Sequence, residues 1–232
     1  MTQLEQRLRR NIAEVSGHIA AAAVRAGRSP GDVTLVAVTK SAPDAVIPLL
    51  AGCGLDNLGE SRPQRLAERQ RLAPDARWHL IGHLQRNKVR DALAAAELIH
   101  SVDSLRLLER ISQVAGELGH TARLLLEVNI SGEAAKHGFS PDELRAHWAD
   151  CQRIPHVELA GLMTMAPLSD DPETARPPFR GLRELRDELR AATGLPLSEL
   201  SMGMSGDYEI GVEEGATLVR VGSALFEGLE TP

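Results

Sequence analysis

The stretch VTLVAVTK, residues 33–40, decides the expected fold of this chain. Its apolar and β-branched part, VTLVAV, is typical of a strand that is buried on both faces of a parallel sheet. The run leads directly into Thr39 and Lys40, where the sequence becomes polar. We therefore expect a parallel sheet whose first strand ends at Lys40.

Strand-like and helix-like stretches alternate along the rest of the chain. Residues 4–24 place apolar side chains at steps of three and four, which predicts an amphipathic helix ahead of the first strand. Further strands are predicted at residues 55–59, 77–82, 98–103, 123–129, 157–163, 197–202 and 217–222. Helices are predicted near residues 43–53, 62–73, 85–96, 104–118, 140–152, 173–192 and 206–215, with a short helix after the last strand.

This alternation predicts the fold class. Strands that are each followed by a helix indicate an α/β protein with a parallel sheet. Eight such units in about 200 residues fit a single (β/α)₈ barrel, the TIM barrel. We expect one domain over residues 1–232, with an extra N-terminal helix. A doubly wound open sheet is the alternative, because the same alternation permits it.

Composition narrows the class of protein. The chain has 232 residues, of which 43% are hydrophobic and 25% charged, and a net charge of −6, as in soluble globular proteins. Its two cysteines, Cys53 and Cys151, lack paired spacing or a neighbouring histidine cluster, so we expect neither disulfides nor a metal site. The acidic pI of about 5.8 argues against a nucleic-acid partner. Without a membrane-length apolar run or a signal-peptide pattern, we expect a cytoplasmic protein with no membrane partner.

Lysine is rare in this sequence. Of the 26 basic residues, only Lys40, Lys88 and Lys136 are lysine. Coding preference explains the excess of arginine. Chemistry that needs a deprotonable amine can use only lysine, however, because a guanidinium stays charged in proteins. The three lysines are therefore candidates for such chemistry.

Polar residues follow most of the predicted strands. In a (β/α)₈ barrel the active site lies at the carboxyl ends of the strands, so these residues should meet at one mouth. They are Lys40, Gly59 to Ser61, Gly82 and His83, Asp103, Asn129, Ser201 to Ser205, and Arg220 with Gly222 and Ser223.

Two glycine-rich segments follow the last two predicted strands. They are SMGMSGDYEIGVEEG at residues 201–215 and VGSALF at residues 221–226. Glycines let the backbone approach an anion, helix N-terminal amides point towards it, and Ser205 or Ser223 can donate a hydroxyl. Barrel enzymes commonly bind phosphate at this pair of loops. Ordinary helix capping is the alternative interpretation of each loop.

Lys40 is expected beside this phosphate cradle, since the first and last strands are neighbours in a closed barrel. A partly desolvated lysine has a lowered pKa, which frees its lone pair for a Schiff base with an aldehyde. An aldehyde that also carries a phosphate points to pyridoxal 5'-phosphate (PLP). Arg220 would then face the pyridine nitrogen and keep it unprotonated. The alternative is that Lys40 is a rim charge paired with Asp44 or Glu60.

Seven blocks of the sequence resemble, in order, the motifs of the YggS/PROSC family of PLP homeostasis proteins, relatives of the barrel half of alanine racemase. The blocks are LVAVTKSAP (35–43), DNLGESRPQ (56–64), WHLIGHLQRNK (78–88), EVNISGEAAKHG (127–138), LAGLMTMAP (159–167), SMGMSGDYE (201–209) and VRVGSALFEG (219–228). The resemblance implies a PLP-binding barrel of fold type III. It also implies a role in intracellular PLP (vitamin B6) homeostasis and amino-acid balance, without robust catalysis.

The resemblance also implies roles for individual residues. Lys40 would hold PLP as a Schiff base, and Arg220 would meet the pyridine nitrogen. Ser205, Gly222 and Ser223 would hold the phosphate, with Ser223 in place of the family's usual threonine. Ser61 stands where the family usually has asparagine, which changes one expected cofactor contact. Further candidates for the site are His83, Met202, Lys88 and Lys136.

Two enzyme interpretations stay open beside the PLP carrier. A slow single-domain PLP-dependent amino-acid racemase would need a second acid/base group. The only tyrosine, Tyr208, lies in the glycine-rich loop and is expected to pack rather than react, and His83 is expected to be structural. A PLP-free, Schiff-base aldolase-type barrel is the other. Because the second domain of the dimeric relatives has no counterpart after the predicted barrel, we expect a monomeric carrier with PLP-dependent apoenzymes as recipients.

Overall fold

The computed structural model describes residues 2–229 and contains a closed barrel of eight parallel strands in sequence order. The strands are β1 (Thr34–Val38), β2 (Asn57–Glu60), β3 (Arg77–Leu80), β4 (Leu98–Val102), β5 (Ala122–Glu127), β6 (Val157–Met163), β7 (Glu199–Ser201) and β8 (Leu218–Val221). The first and last strands pair directly, with Val36 opposite Arg220. The (β/α)₈ prediction is therefore confirmed and the open sheet is excluded.

Helices surround the barrel. They are α1 (Gln3–Arg25), α2 (Ile47–Gly52), α3 (Pro63–Gln70), α4 (Val89–Leu93), α5 (Leu105–Leu118), α6 (Pro141–Arg153), α7 (Arg176–Thr193), α8 (Tyr208–Glu213) and α9 (Ser223–Phe226). Among residues 2–229, no helix combines the length and the apolar character that crossing a bilayer requires. Met1 and residues 230–232, which the predicted domain includes, lie outside the described residues.

The outer core lies between the barrel and its helices, and the inner core lies inside the barrel. Trp78 belongs to the outer core and donates its indole N–H to the carbonyl of Ala73 at 3.0 Å, so its polar atom is satisfied. The inner core consists of Val36, Leu98, Leu125, Ala160, Met163 and Leu218. Alternate residues of a strand share a face, so His100 points inward with Leu98, and Arg220 points inward with Leu218. The barrel interior is therefore partly polar.

The N-terminal helix α1 is present as predicted, and it begins after Thr2, whose hydroxyl accepts from the amide of Glu5 at 3.2 Å. Its apolar face is buried against α8 and α9, the last two helices within residues 2–229. Asn11 donates to the carbonyls of Leu225 and Glu227, at 3.0 Å each. The first helix thus holds the C-terminal segment in place.

Several element boundaries differ from the predicted ones. Residues 43–53 form a 3₁₀ turn at Asp44–Val46 before the short α2. Strand β7 is shorter than the predicted 197–202, because Leu197 has a positive φ of 35°, which extended backbone does not allow. Strand β5 ends at Glu127 rather than at residue 129, because Asn129 accepts from the amide of Gly132 at 3.0 Å and starts a turn. Because β5 ends two residues earlier than predicted, Glu127 rather than Asn129 reaches the barrel mouth.

Candidate functional site

A cavity of about 470 Å³ opens at the carboxyl ends of the strands. Pockets of a few hundred Å³ are typical of cofactor and small-molecule sites. Of the ten residues named above as candidates for the cofactor site, seven lie in its wall: Lys40, Ser61, His83, Ser205, Arg220, Gly222 and Ser223. The expectation that these groups share one mouth agrees with their placement. We call this cavity the mouth pocket.

Lys40 lies in a 3₁₀ turn, Thr39–Ser41, directly after β1. The prediction that Lys40 is partly desolvated is wrong: the residue is exposed, because the turn carries it past the end of the apolar strand into the open mouth. The alternative ion pairs do not form either. Among the described residues, Asp44 and Glu60 form ion pairs with arginines rather than with Lys40. Its amine is therefore available to a ligand in the mouth pocket.

A buried arginine from α3 fixes the turn that carries Lys40. Arg69, 2% exposed, donates to the carbonyl of Thr39 and, at 2.7 Å, to the carbonyl of Ala42. These carbonyls flank Lys40 on both sides. The Arg69 charge is paired with Glu60, which is also buried, at 2.9 Å. We call this ion pair, with the two carbonyls, the Arg69 clamp.

The two glycine-rich loops meet on the β7–β8 side of the mouth pocket. The amide of Gly222 donates to the hydroxyl of Ser205 at 3.2 Å, which joins the loop after β7 to the loop after β8. A Cβ at Gly222 would lie 3.1 Å from the carbonyl of Val38, closer than ordinary contact, so glycine lets this loop approach β1. Ser223 lies in the same wall. Hydroxyl groups of this kind, on loops that glycine brings close, fit a phosphate.

Arg220 is the buried cation of the mouth pocket, with 4% exposure. It donates to the hydroxyl of Ser201 and, at 3.0 Å, to the carbonyl of Thr164. Burial lowers the pKa of Arg220 to about 10, and the more distant charges of Asp207 and Glu127 oppose this shift, so it stays charged at neutral pH. Its hydrogen-bond acceptors among the described residues are neutral, and a ligand acceptor in the pocket would suit its remaining donors.

Glu127 also lines the mouth pocket, although it is not among the residues predicted from the sequence to lie there. Burial raises its pKa to about 7, with a further contribution from the charge of Asp103 and opposition from His137 and Arg220. The residue at the end of a strand is expected at the mouth, and the strand predicted for residues 123–129 ends at Asn129, whereas β5 ends at Glu127. A carboxyl group that titrates near neutrality is characteristic of functional pockets.

A titratable group of three residues stands at the rim of the mouth pocket. The Nδ1 atoms of His83 and His137 lie 3.1 Å and 3.9 Å from the same carboxylate oxygen of Asp103. The two imidazole rings stack at 4.2 Å, 19° from parallel. One ring nitrogen of each histidine and one carboxylate oxygen of Asp103, the atoms that could bind a metal ion, all lie within 4.8 Å of one another. No metal-ligating cluster was expected from the sequence. His83, predicted to be structural, thus pairs with Asp103.

The remaining candidates lie away from the cavity wall. Met202 is fully buried in the outer core. Lys88 is 3.8 Å from the carboxylate of Asp91, and Lys136 pairs with Glu133 and donates to the carbonyl of Met165 at 3.3 Å. Their proposed contacts to a cofactor are therefore not supported by their placement.

Tyr208 lies outside the mouth pocket as well. Its hydroxyl is 3.0 Å from the Nδ1 atom of His18, which belongs to α1. The side chain is buried in the outer core, between the barrel and its helices. This agrees with the packing role expected for Tyr208.

Comparison with known proteins places this geometry among characterised relatives. The family model described as alanine racemase, N-terminal domain, matches residues 5–230. A pyridoxal phosphate homeostasis protein of Aquifex aeolicus is 40% identical over 217 residues, which cover 93% of this chain and 95% of that protein. The human protein of the same name is 36% identical over 206 residues, covering 83% of this chain and 75% of that protein. The structure of PipY from Synechococcus elongatus with PLP bound has a TM-score of 0.81 and 38% identity, covering 97% of this chain and 100% of that one.

Proposed function

Since the chain belongs to the alanine racemase N-terminal domain family, and within it to the pyridoxal phosphate homeostasis proteins, we propose that it binds PLP and serves intracellular PLP homeostasis and amino-acid balance. One observation carries this proposal. A lysine amine, a buried arginine and a serine–glycine cradle line the same cavity of about 470 Å³. The bound PLP of PipY supports the choice of cofactor.

The residues of the mouth pocket fit the groups of PLP. Lys40 would hold the aldehyde as a Schiff base. Ser205, Gly222 and Ser223 would bind the phosphate, and Arg220 would donate to the pyridine nitrogen. PLP, when bound, supplies an electrophilic aldehyde and an electron-withdrawing ring. Because a guanidinium only donates hydrogen bonds, Arg220 favours an unprotonated ring nitrogen, which weakens the ring as an electron sink.

The carrier role is favoured over turnover. The names of the relatives support homeostasis rather than the slow racemase. Tyr208, the only tyrosine, lies outside the mouth pocket, so it is not the second acid/base group that racemisation needs. The finer parts of the proposal are a cytoplasmic location, a monomer, and transfer of PLP to PLP-dependent apoenzymes.

Borohydride trapping tests the proposal. Purified protein mixed with PLP should show the visible absorption of a Schiff base. After borohydride reduction and trypsin digestion, mass spectrometry should locate the pyridoxyl group on Lys40. Lys40→Ala should abolish both signals, whereas Lys88→Ala, a lysine outside the mouth pocket, should keep them. A wild type that stays colourless with PLP, or an adduct confined to Lys88 or Lys136, would overturn the proposal.

Separate assays address turnover and transfer. Incubation with a panel of L-amino acids at saturating PLP, followed by chiral chromatography, should show no sustained Lys40-dependent racemisation. The PLP-loaded protein should reactivate a PLP-dependent apoenzyme, and sedimentation should give a mass near the 25.1 kDa of one chain. Steady multiple turnovers would contradict the carrier role. Failure to reactivate any apoenzyme would contradict transfer.

A further inference from the structure

A row of hydrogen-bonded side chains crosses the barrel interior behind the mouth pocket. It starts at Arg220, which donates to the Ser201 hydroxyl. That hydroxyl lies 2.8 Å from Nδ1 of His100, and Nε2 of His100 lies 2.9 Å from Nδ1 of His79. Nε2 of His79 lies 3.2 Å from the side-chain carbonyl of Asn57. We call these residues, from β8, β7, β4, β3 and β2, the interior row.

Both imidazoles of the interior row are buried and neutral. His100 is fully buried and His79 is 5% exposed. Burial lowers the pKa of His79 to about 4, and nearby Arg123 and Arg77 lower it further while Asp56 opposes them. Burial also lowers the pKa of His100 well below its ordinary value, helped by His79, Arg220 and Arg123. A neutral imidazole has one donor and one acceptor, so each ring must choose a tautomer.

The arginine end of the interior row permits one direction of these hydrogen bonds. A guanidinium can only donate, so the Ser201 oxygen accepts from Arg220 and its own proton is free for Nδ1 of His100. When the hydroxyl proton goes to Nδ1 of His100, that nitrogen is bare, and Nε2 carries the proton and donates to His79. By the same step, His79 accepts at Nδ1 and donates from Nε2.

The asparagine end fixes this direction. The side-chain nitrogen Nδ2 of Asn57 donates to a carboxylate oxygen of Asp56 at 2.7 Å, which turns the side-chain oxygen Oδ1 of Asn57 towards His79. A carbonyl only accepts, so Nε2 of His79 must donate. A neutral His79 is then bare at Nδ1 and accepts from Nε2 of His100. The bare Nδ1 of His100 accepts from the Ser201 hydroxyl, so both rings carry their proton on Nε2.

This direction has an electrostatic consequence for Arg220. Each group in the row turns its negative end, a hydroxyl oxygen or a bare ring nitrogen, towards the guanidinium. Aligned hydrogen bonds polarise one another in a low-dielectric interior. The row therefore stabilises a buried cation whose two hydrogen-bond acceptors, Ser201 and Thr164, are neutral.

We propose that Ser201, His100 and His79 are positioning residues, which act through their hydrogen bonds to stabilise the charge of the Arg220 guanidinium and to orient it towards the ring nitrogen of PLP. The proposal rests on the proposed function, because it assigns the row a role towards that cofactor. It assigns the row no contact with PLP itself, since only Arg220 of these residues lines the mouth pocket.

Nitrogen-15 NMR of the PLP-free protein tests the direction of the row without any cofactor. His79 and His100 should each show a single neutral tautomer at neutral pH, with the proton on Nε2. Loss of signals in His79→Gln and His100→Gln assigns the two rings. A proton on Nδ1 of either ring, or averaging between the two tautomers, would overturn the proposal.

A variant at Ser201 tests the effect on the cofactor. Ser201→Ala should weaken PLP binding about tenfold, the effect of losing one hydrogen bond to a charged group. It should also shift the pH midpoint of the visible absorption of bound PLP, which a general loss of packing would not do. Ser201→Thr, which keeps the hydroxyl, should restore both.

Ser112→Ala is the matched control, because Ser112 is a buried serine of α5 that donates to the carbonyl of Pro155 at 2.7 Å, away from the mouth pocket. Its affinity and spectrum should equal those of the wild type. Wild-type affinity and spectrum in Ser201→Ala would overturn the proposal. A wild type that binds no PLP would remove the proposed function, whereas the NMR result would still decide the direction of the row.

Discussion

Replacement of Arg69 by methionine removes the Arg69 clamp while keeping much of the side chain's volume. Glu60, 2% exposed, would then carry a buried charge without its partner. Breaking a buried ion pair in this way costs about 3–5 kcal/mol. The carbonyl of Ala42 would also lose its 2.7 Å donor. We expect the free energy of unfolding to fall by about 4 kcal/mol, a large part of the ~5–15 kcal/mol of a typical domain.

Urea denaturation measures this loss, with circular dichroism and the fluorescence of Trp78 and Trp148 as probes. The matched control is Arg65→Met on the same helix. Arg65 binds Asp44 at 2.6 Å and Glu68 at 2.9 Å, but its side chain is 41% exposed, so its loss should change the stability little. The double variant Arg69→Met with Glu60→Gln should recover part of the loss, because no unpaired charge remains.

The Arg69 clamp also predicts a change at the mouth pocket. Because Arg69 holds the carbonyls on both sides of Lys40, the folded Arg69→Met protein should load PLP on Lys40 less completely than Arg65→Met does. If Arg69→Met is no less stable than Arg65→Met, the reasoning from burial is refuted. Equal loading of the two variants would refute the link to Lys40.

Three further predictions concern titration and backbone packing. His79 has a folded pKa of about 4 against an ordinary 6.5, so the unfolded chain is protonated first and the free energy of unfolding should fall by about 3 kcal/mol as pH drops through this range. Urea titrations at several pH values should show a smaller fall in His79→Gln. A fall equal to that of the wild type would contradict the prediction. Glu127 has a folded pKa of about 7 against an ordinary 4.5, so its ionisation destabilises the folded protein increasingly as pH rises from 4.5 to 7. The free energy of unfolding of Glu127→Gln should equal that of the wild type at pH 4 and exceed it by about 3 kcal/mol at pH 8. An equal difference at both pH values would contradict this. A Cβ at Gly161 would lie 1.8 Å from the carbonyl of Glu199, so Gly161→Ala should lower the free energy of unfolding by ~3 kcal/mol or more, and the thermal midpoint with it. Gly17→Ala on α1, where nothing lies within 4 Å of the added Cβ, should not lower the thermal midpoint.

The barrel and the site at its mouth could be predicted because local patterns determine them. An apolar run such as VTLVAV predicts a strand directly, and the polar residues after each strand predict the wall of the barrel mouth. Lys40, Arg220 and Ser205 were found in this way, and their roles towards PLP stay predictions. The exposure of Lys40 was misjudged, because the apolar strand before it says nothing about the turn that follows.

The residues that support the site could not be predicted, because their environment depends on distant parts of the chain. Arg69 lies in a polar stretch of α3 and reads as a surface charge, yet its partners are residues 39, 42 and 60. His79 and His100 interrupt apolar strands, and only the register of β3 and β4 brings them together. Glu127 was lost through a shift of two residues at the end of one strand.

The packing of α1 against α8 and α9 has a consequence for synthesis of the chain. Asn11 bonds to carbonyls more than 200 positions further along, at Leu225 and Glu227. Helix α1 is synthesised before α8 and α9, so its apolar face stays uncovered until those two helices have left the ribosome. Partners so remote in sequence slow the search for the native state, and exposed apolar surface invites aggregation meanwhile. A nascent-chain holdase is thus most valuable to this molecule during the interval between the synthesis of α1 and that of α8 and α9.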